Sequence, residues 1–358
     1  MATKALDRPW IGDVSVSAAA SALLGIATGV VDRLGLGMAV GVGLTAAALA
    51  MPEERGGVVA PRVRRLAMPA AALVASTAVL HVVAPTAKHQ GAAALTQTAA
   101  YALVVIGLLL TWRHSSRWLA GGVAAAAVVT AAIPEIPLTA PTLDVAMRGL
   151  LTFLHITGAL VWVGGLVVLS AAGLLGRRNR ILATPNTARD WSQVWERFTV
   201  VASFAVGALI VSGTWLAWTH VGTPAQLLTT TYGRYLSIKL VVVALMLAAG
   251  GYNTRVLMPK IAAARRSGDG RSAIRIAAQH FPVVVAGEAA LGVVVLTIVP
   301  FLRGSARTQA GWPSAGPFDA SVLGTGLVLV ALVAAGLWVG TRAPRSERTV
   351  SRPGSPAA

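Results

Sequence analysis

The stretch Leu150-LTFLHITGALVWVGGLVVLSAAGLL-Gly176 decides how this chain must be read. About 20 apolar residues suffice to cross a bilayer, and this run exceeds that length. It carries the ionisable His155 about two turns inside its first end. An imidazole in hydrocarbon is costly, so it faces a bundle interior and holds a ligand, a proton or a partner. At helical spacing Gly158, Trp162 and Gly165 fall on nearly the same face as His155. That face offers a ligand atom, a bulky lid and two places of close backbone approach.

The rest of the composition agrees. Apolar residues form 55% of the 358 and charged residues 12%, about half the charge of a soluble domain. Mean hydropathy is +0.70. The expected class is an all-α polytopic transmembrane bundle. Cysteine is absent, which excludes disulfides, thiolate nucleophiles and Cys-based zinc sites. A net charge of +17 would suggest nucleic acid in a soluble protein. Here the basic residues lie in short loops between apolar runs, so membrane topology and anionic lipid explain them and nucleic acid is not expected.

Ten spans are expected, near 14–31, 34–51, 66–84, 92–112, 117–133, 148–176, 197–219, 235–259, 278–302 and 320–340. The first two form a hairpin through Asp32-Arg33-Leu34-Gly35, and eight spans remain if it does not insert. With the N-terminus inside, 23 of the 30 Lys and Arg residues fall in cytoplasmic segments and seven on the other side. That split predicts cytoplasmic N- and C-termini. The implied organisation is a tail at 1–13, a five-span region at 14–133, a second membrane domain at 145–305, a last helix at 320–340 and a disordered tail at 341–358.

This topology gathers four of the six histidines toward the outer face: His81, His89, His155 and His220. His114 and His280 lie on the inner side. Glu288 stands near the middle of its span, where a carboxylate must be protonated, paired or coordinating a cation. Lys239 sits about one turn inside the eighth span, able to snorkel outward, to pair with Glu288 or to bind an anionic group. No phosphate-cradling GxxxxGK[ST] loop and no HExxH spacing occurs. Imidazoles, a carboxylate and Met147 at the outer mouth suit copper among the common metals. Haem is the rival, since histidines on facing helices are usual axial ligands, and proton relay is a third reading.

From about residue 145 to 305 the chain resembles the copper resistance protein D (CopD) family of bacterial membrane proteins. The matching stretches are Leu154-HITGALVWVGGL-Val167, Trp195-ERFTVVASFAVGALIVSGTWLAWTHVG-Thr223, Thr230-TYGRYLSIKL-Val241, Gly251-YNTRVLMPK-Ile261 and Gly287-EAALGVVVLT-Ile298. The resemblance implies copper uptake across the bacterial cytoplasmic membrane, often beside a small extracytoplasmic copper-binding protein. By motif position it carries over to His155, Trp162, Tyr232, Arg234, Lys239, Asn253 and Glu288. The expected path brings copper past His81, His89 and His220 to His155, with Met147 as a soft ligand and Glu288 as a mid-membrane carboxylate. Only neutral imidazole binds metal, so capture should weaken as pH falls towards 6. The His-x6-Trp-x-Gly helix also resembles a haem-binding membrane family that oxidises protoporphyrinogen. The alternatives are therefore a haem-dependent oxidoreductase with His155 as axial ligand, and a copper-binding assembly module that transports nothing.

Overall fold

A computed structural model describes residues 11–83, 91–135, 142–178, 185–257, 260 and 281–341. Among these residues all regular structure is helical, as lipid requires of an open chain whose backbone groups must be satisfied within each segment. Eight helices are long and apolar enough to cross a membrane.

The long elements are α1 (Ile11–Leu44, running on as a π turn to Leu49), α2 and α3 (Val59–Arg65 and Ala67–Val83, one span broken at Leu66), α4 (Gly91–Arg113) and α5 (Arg117–Ala132). They continue with α6 (Leu143–Arg178), α7 (Pro185–His220), α9 (Thr231–Tyr252, extended by a π turn Asn253–Leu257) and α10 (Phe281–Ile298). Two one-turn helices, α8 (Gln226–Thr229) and α11 (Ala306–Gln309), lie between them, and α12 (Ala320–Thr341) is a further apolar helix packed on α7. Thr230 caps α9 by accepting from the Gly233 N–H. Asp319 does the same for α12, accepting from Ser321 and Val322, and those bonds hold its carboxyl below the usual range.

The first hairpin does not exist. Asp32-Arg33-Leu34-Gly35, expected as a turn, lies inside α1, which is a single helix. The polar pair is accommodated without breaking the backbone ladder. Tyr101 donates its hydroxyl to Asp32 Oδ1 at 2.7 Å, and Arg33 Nη1 donates to the Gly29 carbonyl one turn back at 2.8 Å. No proline interrupts the run. The expected spans 14–31 and 34–51 are thus one crossing, which corrects the count of ten.

The correction changes polarity at one end. The Leu49 end of α1 meets the loop ends rich in arginine: Arg117 Nε donates to the Ala47 carbonyl and Arg197 Nη1 to the Leu49 carbonyl. Gly25 and Gly29, farther back along α1, lie beside Arg303 and Pro300 on the other side. We call these the basic and distal faces. Ile11 therefore starts on the distal side, whereas α12 runs from the distal side, where the Phe318 N–H meets Asp144, to Thr341 on the basic side. The two ends of the described chain lie on opposite faces, not on one.

The main hydrophobic core runs through the bundle, with α1 and α6 at its centre; Leu36, Val40, Tyr101, Leu108, Leu166 and Leu169 are among its fully buried members, and Tyr232, Leu236 and Ala306 form a smaller cluster apart from it. Outward-facing apolar side chains such as Leu95, Phe204, Leu228 and Leu327 stay exposed, as a lipid-facing girdle does. On the basic face Asp190, with no solvent exposure, accepts from the backbone N–H groups of Met51, Val58 and Val59. It fastens the start of α2 to α7.

Candidate functional site

Depth in the bundle follows from three close contacts. Gly37 on α1 abuts Gly164 on α6. Gly292 on α10 abuts Val163 on α6 and Met246 on α9. At a rise of about 1.5 Å per residue these contacts set a common scale for every residue on the four helices.

His155 lies on α6, roughly 12 Å to the distal side of Val163 by that scale. Its ring rests against Gly213 of α7, and Nδ1 is 3.1 Å from Ser212 Oγ. The Ser212 hydroxyl donates to the Ala208 carbonyl at 2.6 Å, so its oxygen must accept from His155. The network therefore puts the proton on Nδ1 and leaves Nε2 with its lone pair. Among the described residues no bond to Nε2 occurs. A ligating histidine has this geometry, in which one nitrogen is anchored by a hydrogen bond and the other is free.

His220, at the distal end of α7, repeats the arrangement. Its Nδ1 is 2.8 Å from the Leu216 carbonyl, which can only accept, so Nδ1 carries the proton here too. The ring stacks on buried Tyr232 with centroids 5.6 Å apart and planes within 7°. The Tyr232 N–H in turn donates to Gln309 Oε1. A strap of residues 302–318 thus holds this end together, with Arg307 Nη2 donating to the Trp218 carbonyl.

The other expected ligands do not join them. Among the described residues no three His, Asp or Glu side chains converge on one point. Eight residues separate Ser212 from His220, about 12 Å of helix, so the two imidazoles do not share one coordination sphere. Met147, partly buried, stands about 12 Å toward the distal face from His155 along α6. His81 belongs to another helix pair, its ring 5.4 Å from that of Tyr101 on α4. His89 and His280 lie outside the described residues.

Glu288 is 5% exposed and receives the Asn253 amide at 2.6 Å. Asn253 opens the π turn that ends α9, so the pair belongs to the half of the bundle near the basic face. By the common scale Glu288 lies roughly 18 Å from the level of His155. Lys239 does not pair with Glu288: it lies about seven residues, some 10 Å, to the distal side of Met246. That brings it to the level of His155.

Gly158, Trp162 and Gly165 make packing contacts. Gly158 lets α6 approach the Ala205 carbonyl and Leu209 of α7, and Gly165 admits the Phe198 ring. Trp162 is buried in the core between them. Arg234 is exposed and donates to the Leu228 carbonyl. Sequence reasoning passed over Gly164, whose apposition to Gly37 is the tightest backbone approach at α6, and Ser212, which anchors His155. It also missed Asp32 and Arg33 as intramembrane groups. An apolar run of unbroken helix length across Asp32-Arg33, without proline, was the available signal.

The fold and these groups define a polytopic helical membrane protein with anchored imidazoles in its distal half and a buried carboxylate in its basic half. Residues 192–302 match the family described as copper resistance protein D. The matched segment contains His220, Tyr232, Arg234, Lys239, Asn253 and Glu288, while α6 with His155 and Trp162 precedes it. No curated protein and no solved structure matches the chain.

Proposed function

We propose that this protein carries copper across the bacterial cytoplasmic membrane, inward from the distal face. The copper-resistance family match supports the cargo. The observation that carries the residue assignment is the pair of anchored imidazoles, each with Nδ1–H committed to the protein and Nε2 available. Such a lone pair suits copper, for which imidazole is a favoured ligand. Arginines concentrate at the opposite loop ends, which favours the basic face as the cytoplasmic one.

His220 would receive the ion at the distal rim and His155 would hold it next, in a stepwise passage, because the two stand too far apart for one site. Glu288 with Asn253 forms a separate polar station roughly 18 Å on, suited to releasing a cation toward the cytoplasm. Between them the crossing of α1 and α6 at Gly37 and Gly164 closes the bundle, so passage requires these helices to part. A small extracytoplasmic copper-binding protein is the natural donor at the distal rim.

The test is copper uptake into proteoliposomes, with metal analysis and a visible spectrum on the same purified protein. Wild type should bind copper and accumulate it, and His155→Ala should lose at least 10-fold in uptake. Uptake unchanged in His155→Ala removes that residue from the path. Copper bound but not moved makes the protein an assembly module. A Soret band lost with His155 replaces the proposal with a haem-dependent oxidoreductase.

A further inference from the structure

The proposed path leaves a gap. About 12 Å of α7 separates His220 from the Ser212 that anchors His155, and neither imidazole spans it. Trp215 falls between them, three residues beyond Ser212, roughly 4.5 Å to its distal side, and five residues before His220. The group that faces its ring comes from α6. The two helices run antiparallel here: Gly158 meets Ala205 and Leu209, His155 meets Ser212 and Gly213, and Arg148 meets Trp215. Arg148 stands seven residues before His155, two turns along the same face of α6. The Arg148–Trp215 contact therefore sits on the α6–α7 seam next outside the His155–Ser212 contact.

That contact is a cation on an aromatic face. The Arg148 guanidinium carbon lies 5.8 Å from the centroid of the indole ring, near the outer limit of about 6 Å for such an attraction. The polar edge of the ring is unused: Trp215 Nε1–H is buried with no acceptor among the described residues, although a buried indole N–H normally finds one. Arg148 is also tied through Nε, 2.7 Å from Asp144 Oδ2, with 39% and 31% of the two side chains exposed. An ion pair this open to solvent holds weakly. Asp144 Oδ1 accepts the Phe318 N–H of the strap, which keeps the carboxylate in place when the guanidinium moves.

We infer that the Trp215 face is a cation site on the way from His220 to His155, held in this structure by the Arg148 guanidinium and taken over by arriving copper. The inference rests on the copper reading and adds a station and a gate to it. An indole face attracts a soft, singly charged ion, which selects Cu(I) over the strongly hydrated Cu(II). Two positive charges on one ring face repel, so Arg148 and copper exclude each other. While the guanidinium stays on the ring, its charge turns cations away from His155. Once displaced it keeps its Asp144 bond, so no charge is stranded.

The test is Cu(I) uptake into proteoliposomes, with ascorbate present and copper below saturation. Trp215→Leu should slow uptake about 10-fold, and Trp215→Phe, whose ring attracts cations less, about threefold. Arg148→Gln should speed it about threefold, a gain that a misfolded protein would not show, and Arg148→Lys should stay within about twofold of wild type. Adding Arg148→Gln to Trp215→Leu should bring no gain, because the ring for which the two cations compete is gone. A gain of the same size in both backgrounds reduces Arg148 to a general repulsive charge and overturns the inference. Slower uptake in Trp215→Leu without any gain in Arg148→Gln marks Trp215 as packing and overturns it too. A wild type that moves no copper overturns the transport reading and this one together. Uptake lost in His155→Ala yet unchanged in Trp215→Leu overturns this one alone.

Discussion

Replacing Gly164 by alanine probes the crossing on which the whole bundle turns. The added methyl carbon would lie 2.6 Å from the Gly37 carbonyl carbon and 3.0 Å from its Cα, both backbone atoms that cannot rotate away. Carbon atoms rest at about 3.5–4.0 Å, so α1 and α6 must separate by about 1 Å where they now touch. In a close-packed interior such overpacking costs about 1–3 kcal/mol. Alanine returns up to about 1 kcal/mol through its better helix propensity, leaving a net loss of about 1–2 kcal/mol. For a protein of this size that lowers Tm by about 1–3 °C. Thermal unfolding in detergent, followed by the fluorescence of the buried tryptophans, measures it. Gly122→Ala is the control, because nothing lies within 4 Å of its new methyl, and it should leave Tm unchanged or raise it. A methyl on Gly41 would sit 2.7 Å from the Gly164 carbonyl carbon, so Gly41→Ala should cost a similar amount. The double variant should cost less than the two singles together, since helices already parted accept the second methyl cheaply. A Gly164→Ala protein that melts at or above the wild-type temperature would refute the close crossing of α1 and α6.

Asp190→Ala strands three backbone N–H groups at a site with no solvent exposure and should cost about 3–5 kcal/mol, with Asp190→Asn, which keeps one acceptor oxygen, costing about half. Limited proteolysis in the 51–58 loop reads the loss directly, and wild-type resistance in both variants would remove the clamp. Ser212→Ala removes the acceptor that sets the His155 proton, so copper affinity should fall about 10-fold or more, as it does for other outer-shell partners of ligating histidines. Ser212→Thr keeps the hydroxyl and should restore binding; equal affinities in all three proteins would show that the tautomer is not fixed from α7.

Most spans could be read directly because the bilayer makes a local demand. Each crossing must be about 20 residues of apolar chain that satisfies its own backbone, and 92–112, 117–133 and 148–176 differ from the observed helices by only a few residues at each end. His155 and Glu288 stood out for the same reason, as ionisable groups where lipid tolerates few. The first hairpin went wrong because Asp32 and Arg33 look like a turn until their partners are known. Tyr101 is 69 residues away in sequence, and nothing near Asp32 announces it.

The sequence by itself determined that the chain is a bundle of membrane helices, where most of them begin and end, and which few polar groups they carry inward. Tertiary structure alone decided that α1 crosses once, that Asn253 rather than Lys239 meets Glu288, and that Tyr101 meets Asp32. The division is physical. Burial of apolar length in lipid is settled residue by residue along one segment. Helix pairing in the same lipid is settled by backbone approach at glycines and by single hydrogen bonds between distant positions, which leave no local pattern to read.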